Sequence, residues 1–176
     1  MAVLPIRVVP DPVLRQKAKR VRTVDASIKK LIQNMRQTMH AAPGVGLAAN
    51  QVGVPVRVVV IGLPEEDDIV LINPQIVKKT GERKITEGCL SIPGYHGDVK
   101  RAVTVTAKWR DATGKEVRKK ATDLLAQALE HEIDHLDGVL YIDHLESADM
   151  LHKNEVQSAP EAEASATAPP TAPPES

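Results

Sequence analysis

The chain contains no phenylalanine, and its aromatic residues are confined to Tyr95, Trp109 and Tyr141. Its core must therefore be built from aliphatic side chains. Cysteine occurs once, as Cys89, which excludes an internal disulfide and removes the usual mark of an exported fold. No apolar run approaches the roughly 18 residues that a membrane helix needs. The opening MAVLPIRVVPDP has neither the charged, apolar and small-residue order of an export signal nor the Arg- and Ser-rich pattern of a transit peptide. A cytoplasmic protein with no membrane partner is expected. Excess charge is also lacking: 23 basic and 23 acidic residues balance. Because Glu161, Glu163 and Glu175 lie in the tail, the residues before it carry only a mild basic excess, too weak to argue for DNA or RNA binding.

What remains is enough for one domain with an aliphatic core: 176 residues, 42% hydrophobic. The C-terminal SAPEAEASATAPPTAPPES is low-complexity and cannot bury enough apolar surface to offset its ordering entropy. The expectation is one folded domain over 1–155 and a disordered Ala/Pro/Glu-rich tail over 156–176. Asp25 is placed to cap a helix whose stripe is Ile28, Leu31, Ile32, Met35 and Met39, ending before Pro43 and Gly44. Strand-like runs begin at Val56, Ile69 and Ala102, and the last meets KEVRKKA across a DATG turn. A second helix is expected from Thr122 or Asp123 through His135, with Gly138 at its left-handed cap. SADMLHKNEV reads as a short terminal helix. This order predicts an α+β fold, with antiparallel or mixed β-sheets packed around a central helix.

That second helix carries HEIDHLDG, residues 131–138. Leu124, Ala128, His131 and His135 share one helical face, which is expected to point inward. Two core histidines held by hydrogen bonds would be the bland explanation, but a His-Glu-x-x-His spacing is more constrained than that. Two imidazoles on one face suit a divalent ion. Glu132, one position along, can reach an attacking water without becoming a ligand. The third ligand is not given by the motif. A histidine three residues after Gly138 would complete one protease pattern, but Tyr141 stands there. Glu155 lies too near the end of the domain to come from a second packed helix. Cys89, in TEGCLSIPG, is a candidate thiolate that would leave a fourth position open. His40, His96, His144 and His152 sit in no recognisable constellation and read as surface residues.

Three segments together resemble the peptide deformylase family: GVGLAANQ (Gly44 to Gln51), EGCLS (Glu87 to Ser91) and HEIDH (His131 to His135). VPDPVLRQKAKRV, LINPQIV and GVLYIDHL extend the similarity from about residue 4 to residue 150. The resemblance implies a metal-dependent hydrolase that removes the N-formyl group from the N-terminal formylmethionine of newly made polypeptides and releases formate. It implies one divalent ion per chain on Cys89, His131 and His135, expected to be Fe2+, with Ni2+, Co2+ or Zn2+ as substitutes. A metal-held hydroxide attacks the formyl carbon in such enzymes. Glu132 then serves as general base and acid, and the Gln51 amide and Leu90 backbone N–H face the developing oxyanion. Gly44, Val45, Gly46, Leu124 and Ala128 are the implied substrate-binding residues. Gly44 and Gly46 read equally as turn residues or as points of close peptide approach. The implied partners are N-formylmethionyl nascent peptides and, transiently, the ribosome, with a monomer as the working unit. A peptidase with the same metal and base, or a metal-stabilised binding module, would be the alternatives. Glu87 is expected to hold a cation, with Arg101 as the candidate. Three departures from the family pattern stand out. They are Asn50 where many members have Pro, Glu130 where Gln is common, and the Gly-Tyr sequence after the second motif.

Overall fold

In the computed structural model, residues 2–155 are described. The expected tail over 156–176 falls outside them. Helix α1, Ala26–His40, starts where Asp25 accepts the Ile28 backbone N–H at 3.0 Å. It buries Leu31, Ile32, Met35 and Met39, the stripe that the 3.6-residue period selects. Strands β1 (Gly46–Ala48), β2 (Val58–Ile61), β3 (Ile69–Thr80), β6 (Thr104–Arg110) and β7 (Glu116–Thr122) form one antiparallel sheet, in the order β1-β2-β3-β6-β7. Strands β4 (Arg83–Cys89), β5 (Ile92–Arg101) and β8 (Leu151–Lys153) form a second, in the order β4-β5-β8.

The larger sheet is covered on both faces. Val58 and Val60 join Leu47, Ile72 and the α1 stripe in one cluster. Val59, Ile61 and Leu71 join Trp109 and helix α2, Asp123–Leu136, in another. That double burial explains why β2 is an uninterrupted aliphatic run and not an alternating one. A third cluster, Leu14, Ile92, Val99, Leu140 and Tyr141, underlies the smaller sheet. Helix α2 packs Leu125, Ala126 and Leu129 against the larger sheet and presents His131, Asp134 and His135 to β4 and β5. It is the central element that the motif helix was expected to be. Gly138 closes it with φ of +74°, and a Cβ there would lie 2.5 Å from the Arg15 carbonyl oxygen, so only glycine fits.

Two expectations are corrected. SADMLHKNEV is not a helix: a 3-10 turn over Ala148–Met150 leads into β8, which pairs with β5 through Gly97–Leu151, His96–His152 and Tyr95–Lys153. The open edge of β5 offers backbone partners that a short isolated helix would lack. The inward direction expected for Leu124 also fails, since that side chain is 39% exposed. It sits in the first turn of α2, beyond the cover of either sheet. The β4–β5 pair was absent from the sequence reading altogether. Its inward positions include Glu87 and Arg101, both buried, so charge interrupts the period-two pattern by which strands are found.

Candidate metal centre and cleft

Cys89 ends β4 at a register shift between Glu87 and Cys89, and the irregularity turns its thiol toward α2. The Cys89 Sγ lies 3.3 Å from His135 Nε2, which lies 3.3 Å from His131 Nε2. The three ligand atoms fall within 4.8 Å of one another. Two nitrogens bound at about 2.0–2.1 Å to one tetrahedral ion would be about 3.3–3.4 Å apart, so the histidine spacing fits such an ion without rearrangement. A thiolate with two imidazoles also suits a transition metal better than Mg2+ or Ca2+.

The His131 imidazole is oriented from behind. His131 Nδ1 meets Glu87 Oε1 at 2.8 Å, which leaves Nε2 to face the thiol. Glu87 in turn takes Arg101 Nε and Nη2 at 2.7 and 2.8 Å. Burial acts to raise the Glu87 pKa, but the Arg101 and His131 hydrogen bonds outweigh it and bring it down to about 2. The pair is therefore a buried, two-point ion pair in which the carboxylate stays charged. Arg101 also donates to Asp134 Oδ2 at 2.9 Å, and His144 Nε2 contacts the same oxygen at 2.8 Å. His144, read from sequence as a simple surface residue, thus touches the outer end of this network. Arg101 was anticipated as the partner of Glu87, whereas Asp134 was not.

Glu132 is 5% exposed, and among the described residues its Oε2 has no hydrogen-bond partner. Burial pushes its pKa up to about 7, with His131 opposing. A carboxyl group poised there can both take and return a proton near neutral pH. Gly46 makes room for it: a Cβ at this position would fall 2.7 Å from Glu132 Oε1 and 2.9 Å from its Cγ. Gly44 and Gly46 both lie outside the left-handed backbone region, so neither serves as a positive-φ turn residue. The absent side chain is what matters at Gly46.

Gln51 follows β1 in a 3-10 turn over Ala49–Val52. Its Oε1 accepts the Ala48 N–H at 3.0 Å, which fixes the amide orientation because a backbone N–H can only donate. Its Nε2 then points at Ser91 Oγ, 3.1 Å away, and at Cys89 Sγ, 3.7 Å away. Ser91 was not singled out from sequence. Leu90 lies in the turn between β4 and β5.

Gln51, Glu87, Cys89, Leu90, His131 and Glu132 line a cleft of about 510 Å³, together with Gly44, Val45, Gly46, Leu124 and Ala128. His135 stays behind the wall, 1% exposed. Leu124 thus reaches the cleft from its exposed end. Tyr95, of the Gly-Tyr departure, also lines it, as do Gln127 and Asn154, which were missed. Gln127 lies three residues after Leu124 and four before His131, so helical spacing alone would have flagged it. Asn154 carries no such signal, because its position depends on the pairing of β8. Glu130, the departure beside His131, turns away from the cleft and takes the Ala102 N–H at 2.8 Å and Lys79 Nζ at 2.8 Å.

The sequence matches the family described as polypeptide deformylase over residues 3–150. It is 58% identical over 154 residues to a peptide deformylase of Dehalococcoides mccartyi, covering 87% of this chain and 92% of that relative. It is 47% identical over 150 residues to one of Rhizobium meliloti, covering 82% and 86%. Among solved structures, the Ehrlichia chaffeensis peptide deformylase in complex with actinonin superposes with a TM-score of 0.82 at 40% identity, covering 85% of this chain and 92% of that one. The Synechococcus elongatus peptide deformylase in complex with actinonin gives a TM-score of 0.81 at 44% identity, covering 84% and 81%.

Proposed function

The chain belongs to the polypeptide deformylase family, and from that premise we propose how its own residues carry the reaction. It is a metal-dependent hydrolase that removes the N-formyl group from the N-terminal formylmethionine of newly made polypeptides. The observation that carries the residue assignment is the convergence of one thiol and two imidazoles beside a buried, unpartnered carboxylate at the foot of a cleft.

Cys89, His131 and His135 would hold the divalent ion. When bound, it supplies an activated water and polarises the formyl carbonyl. Glu132 accepts the proton of the attacking water on its buried carboxylate and delivers it to the departing amine nitrogen. The products are formate and a free N-terminus. Gln51 Nε2, held by the Ala48 contact, and the Leu90 N–H donate to the oxygen that becomes negative as the formyl carbon turns tetrahedral. Glu87, itself held by Arg101, keeps the His131 ring aligned through Nδ1 so that Nε2 faces the ion. Gly44, Val45 and Gly46 meet the extended peptide backbone in the manner of an added strand, while Leu124 and Ala128 line the methionine side-chain pocket.

Fe2+ is the native ion in this reading, and Ni2+, Co2+ and Zn2+ share its affinity for thiolate and imidazole. The substrate is presented as a nascent chain, with transient contact to the ribosome, in the cytoplasm. Among the described residues no helix is long and apolar enough to cross a membrane. One chain supplies every residue of the site, so a monomer suffices. Residues 1–155 form the catalytic unit and 156–176 an appended tail. The test is formate release from formyl-Met-Ala peptides with the Met–Ala bond left intact. Cleavage of that bond without formate would make the protein a peptidase instead.

A further inference from the structure

The pairing of β5 with β8 sets His96 directly opposite His152. Their ring centroids are 5.6 Å apart, with the planes tilted by 38°. An imidazole bound through one nitrogen at about 2.0–2.1 Å has its ring centre about 3.2 Å from the ion. Two such rings therefore have centres about 5.2 Å apart at the tetrahedral angle and about 5.5 Å apart at 120°. The catalytic pair, His131 and His135, is set closer, at 4.9 Å, while the His96–His152 separation of 5.6 Å lies near the wider of these values.

The proton on His96 is also located by its neighbour. Its Nδ1 is 2.6 Å from Asn154 Oδ1, and an amide oxygen only accepts. With Nδ1 donating to that oxygen, Nε2 is left with the free lone pair. This is the arrangement by which a ligating histidine is oriented through its far nitrogen, and Glu87 does the same for His131. His152 is exposed and able to turn toward a shared ion, while His96 is half-buried and held.

We propose that His96 and His152 form a second, accessory site for a divalent transition-metal ion of the Ni2+, Cu2+ or Zn2+ class. Occupancy ties the C-terminal strand β8 to β5. The same strand pair continues into the cleft wall, where the Asn154 N–H meets the Gly94 carbonyl at 2.8 Å and both residues line the cleft. An ion at His96 and His152 therefore stiffens this rim of the cleft. The site is independent of the catalytic assignment, since neither histidine belongs to the metal centre or lines the cleft.

The test titrates Ni2+ into the full chain already loaded with Ni2+ at its first site, by calorimetry and by metal analysis after gel filtration. Wild type should take up a second, weaker ion. His152→Ala and His96→Ala should each lose that event while retaining the first ion and wild-type formate release in the absence of added metal. Amide exchange at Leu151–Lys153 should slow with added Ni2+ in wild type and stay unchanged in His152→Ala. One ion per chain in wild type, or a second ion that survives in the double variant, would overturn the proposal. Failure of formate release in every sample would instead count against the catalytic reading and leave this site standing.

Discussion

Replacing Gly46 with alanine tests whether the position of the Glu132 carboxylate sets the rate. The added Cβ would lie 2.7 Å from Glu132 Oε1, 2.9 Å from Cγ and 3.0 Å from Cδ. A saturated carbon and a carboxylate oxygen settle at about 3.2–3.4 Å, so Glu132 must retreat by about 0.5–0.7 Å. It cannot do so freely, because the side chain is 5% exposed on a helix packed between two sheets. A displacement of about 1 Å at a reacting group costs about 100-fold in rate, so the shift here predicts a fall in kcat of about 10- to 30-fold, or about 1.4–2 kcal/mol in the barrier. The assay is formate release under saturating formyl-Met-Ala, with metal content measured on the same sample. Gly44→Ala is the internal comparison. Its one tight contact is with the end of the Leu90 side chain, at 3.1 Å, which can yield by rotation, so its kcat should fall by less than about threefold. A Gly46→Ala enzyme with wild-type kcat, or equal losses in the two variants, would refute the argument.

Two further outcomes follow from the ion pairs. Arg101→Ala leaves Glu87 charged and buried, both side chains being 2% exposed in the native pair. Breaking such a pair costs about 3–5 kcal/mol and, through His131, about 10- to 100-fold in metal affinity. Denaturant melts and chelator competition would measure both, and a stability change under about 1 kcal/mol would contradict the role. Asp68 accepts from His40 at 2.7 Å and Arg36 at 2.9 Å. Burial acts to raise its pKa, but these hydrogen bonds prevail and hold it below the ordinary 3.8. A folded value below the unfolded one adds stability that is complete above the unfolded pKa and is lost as pH falls through the folded one. Asp68→Asn should therefore be less stable than wild type at pH 7, with the gap closing as pH falls below about 4 and through the folded pKa. A gap independent of pH in urea melts would exclude this linkage.

The legible parts of this protein are those where one local rule governs. Asp25 begins α1 because its carboxylate reaches Ile28, and His131 and His135 share a face because a helix repeats every 3.6 residues. The parts that were not legible depend on long-range pairing. Arg101 and Glu87 hide β4 and β5 because two buried charges occupy positions that aliphatic residues normally fill. Strand β8 exists because β5 has a free edge, which no pattern within SADMLHKNEV announces. The reason for glycine at position 46 emerges only once β1 lies against Glu132. Cys89 is intermediate: its residue type marked it as a candidate ligand, but its closeness to the histidines rested on resemblance until the fold brought the three together.

The central claim is that Cys89, His131 and His135 hold one ion while Glu132 moves the proton. Bound metal per chain, measured together with formate release on one preparation of Glu132→Gln, tests it most directly. The expected result is wild-type metal content with formate release reduced by about 100-fold or more. Loss of the metal along with the activity, or turnover close to wild type with the metal in place, would contradict the account.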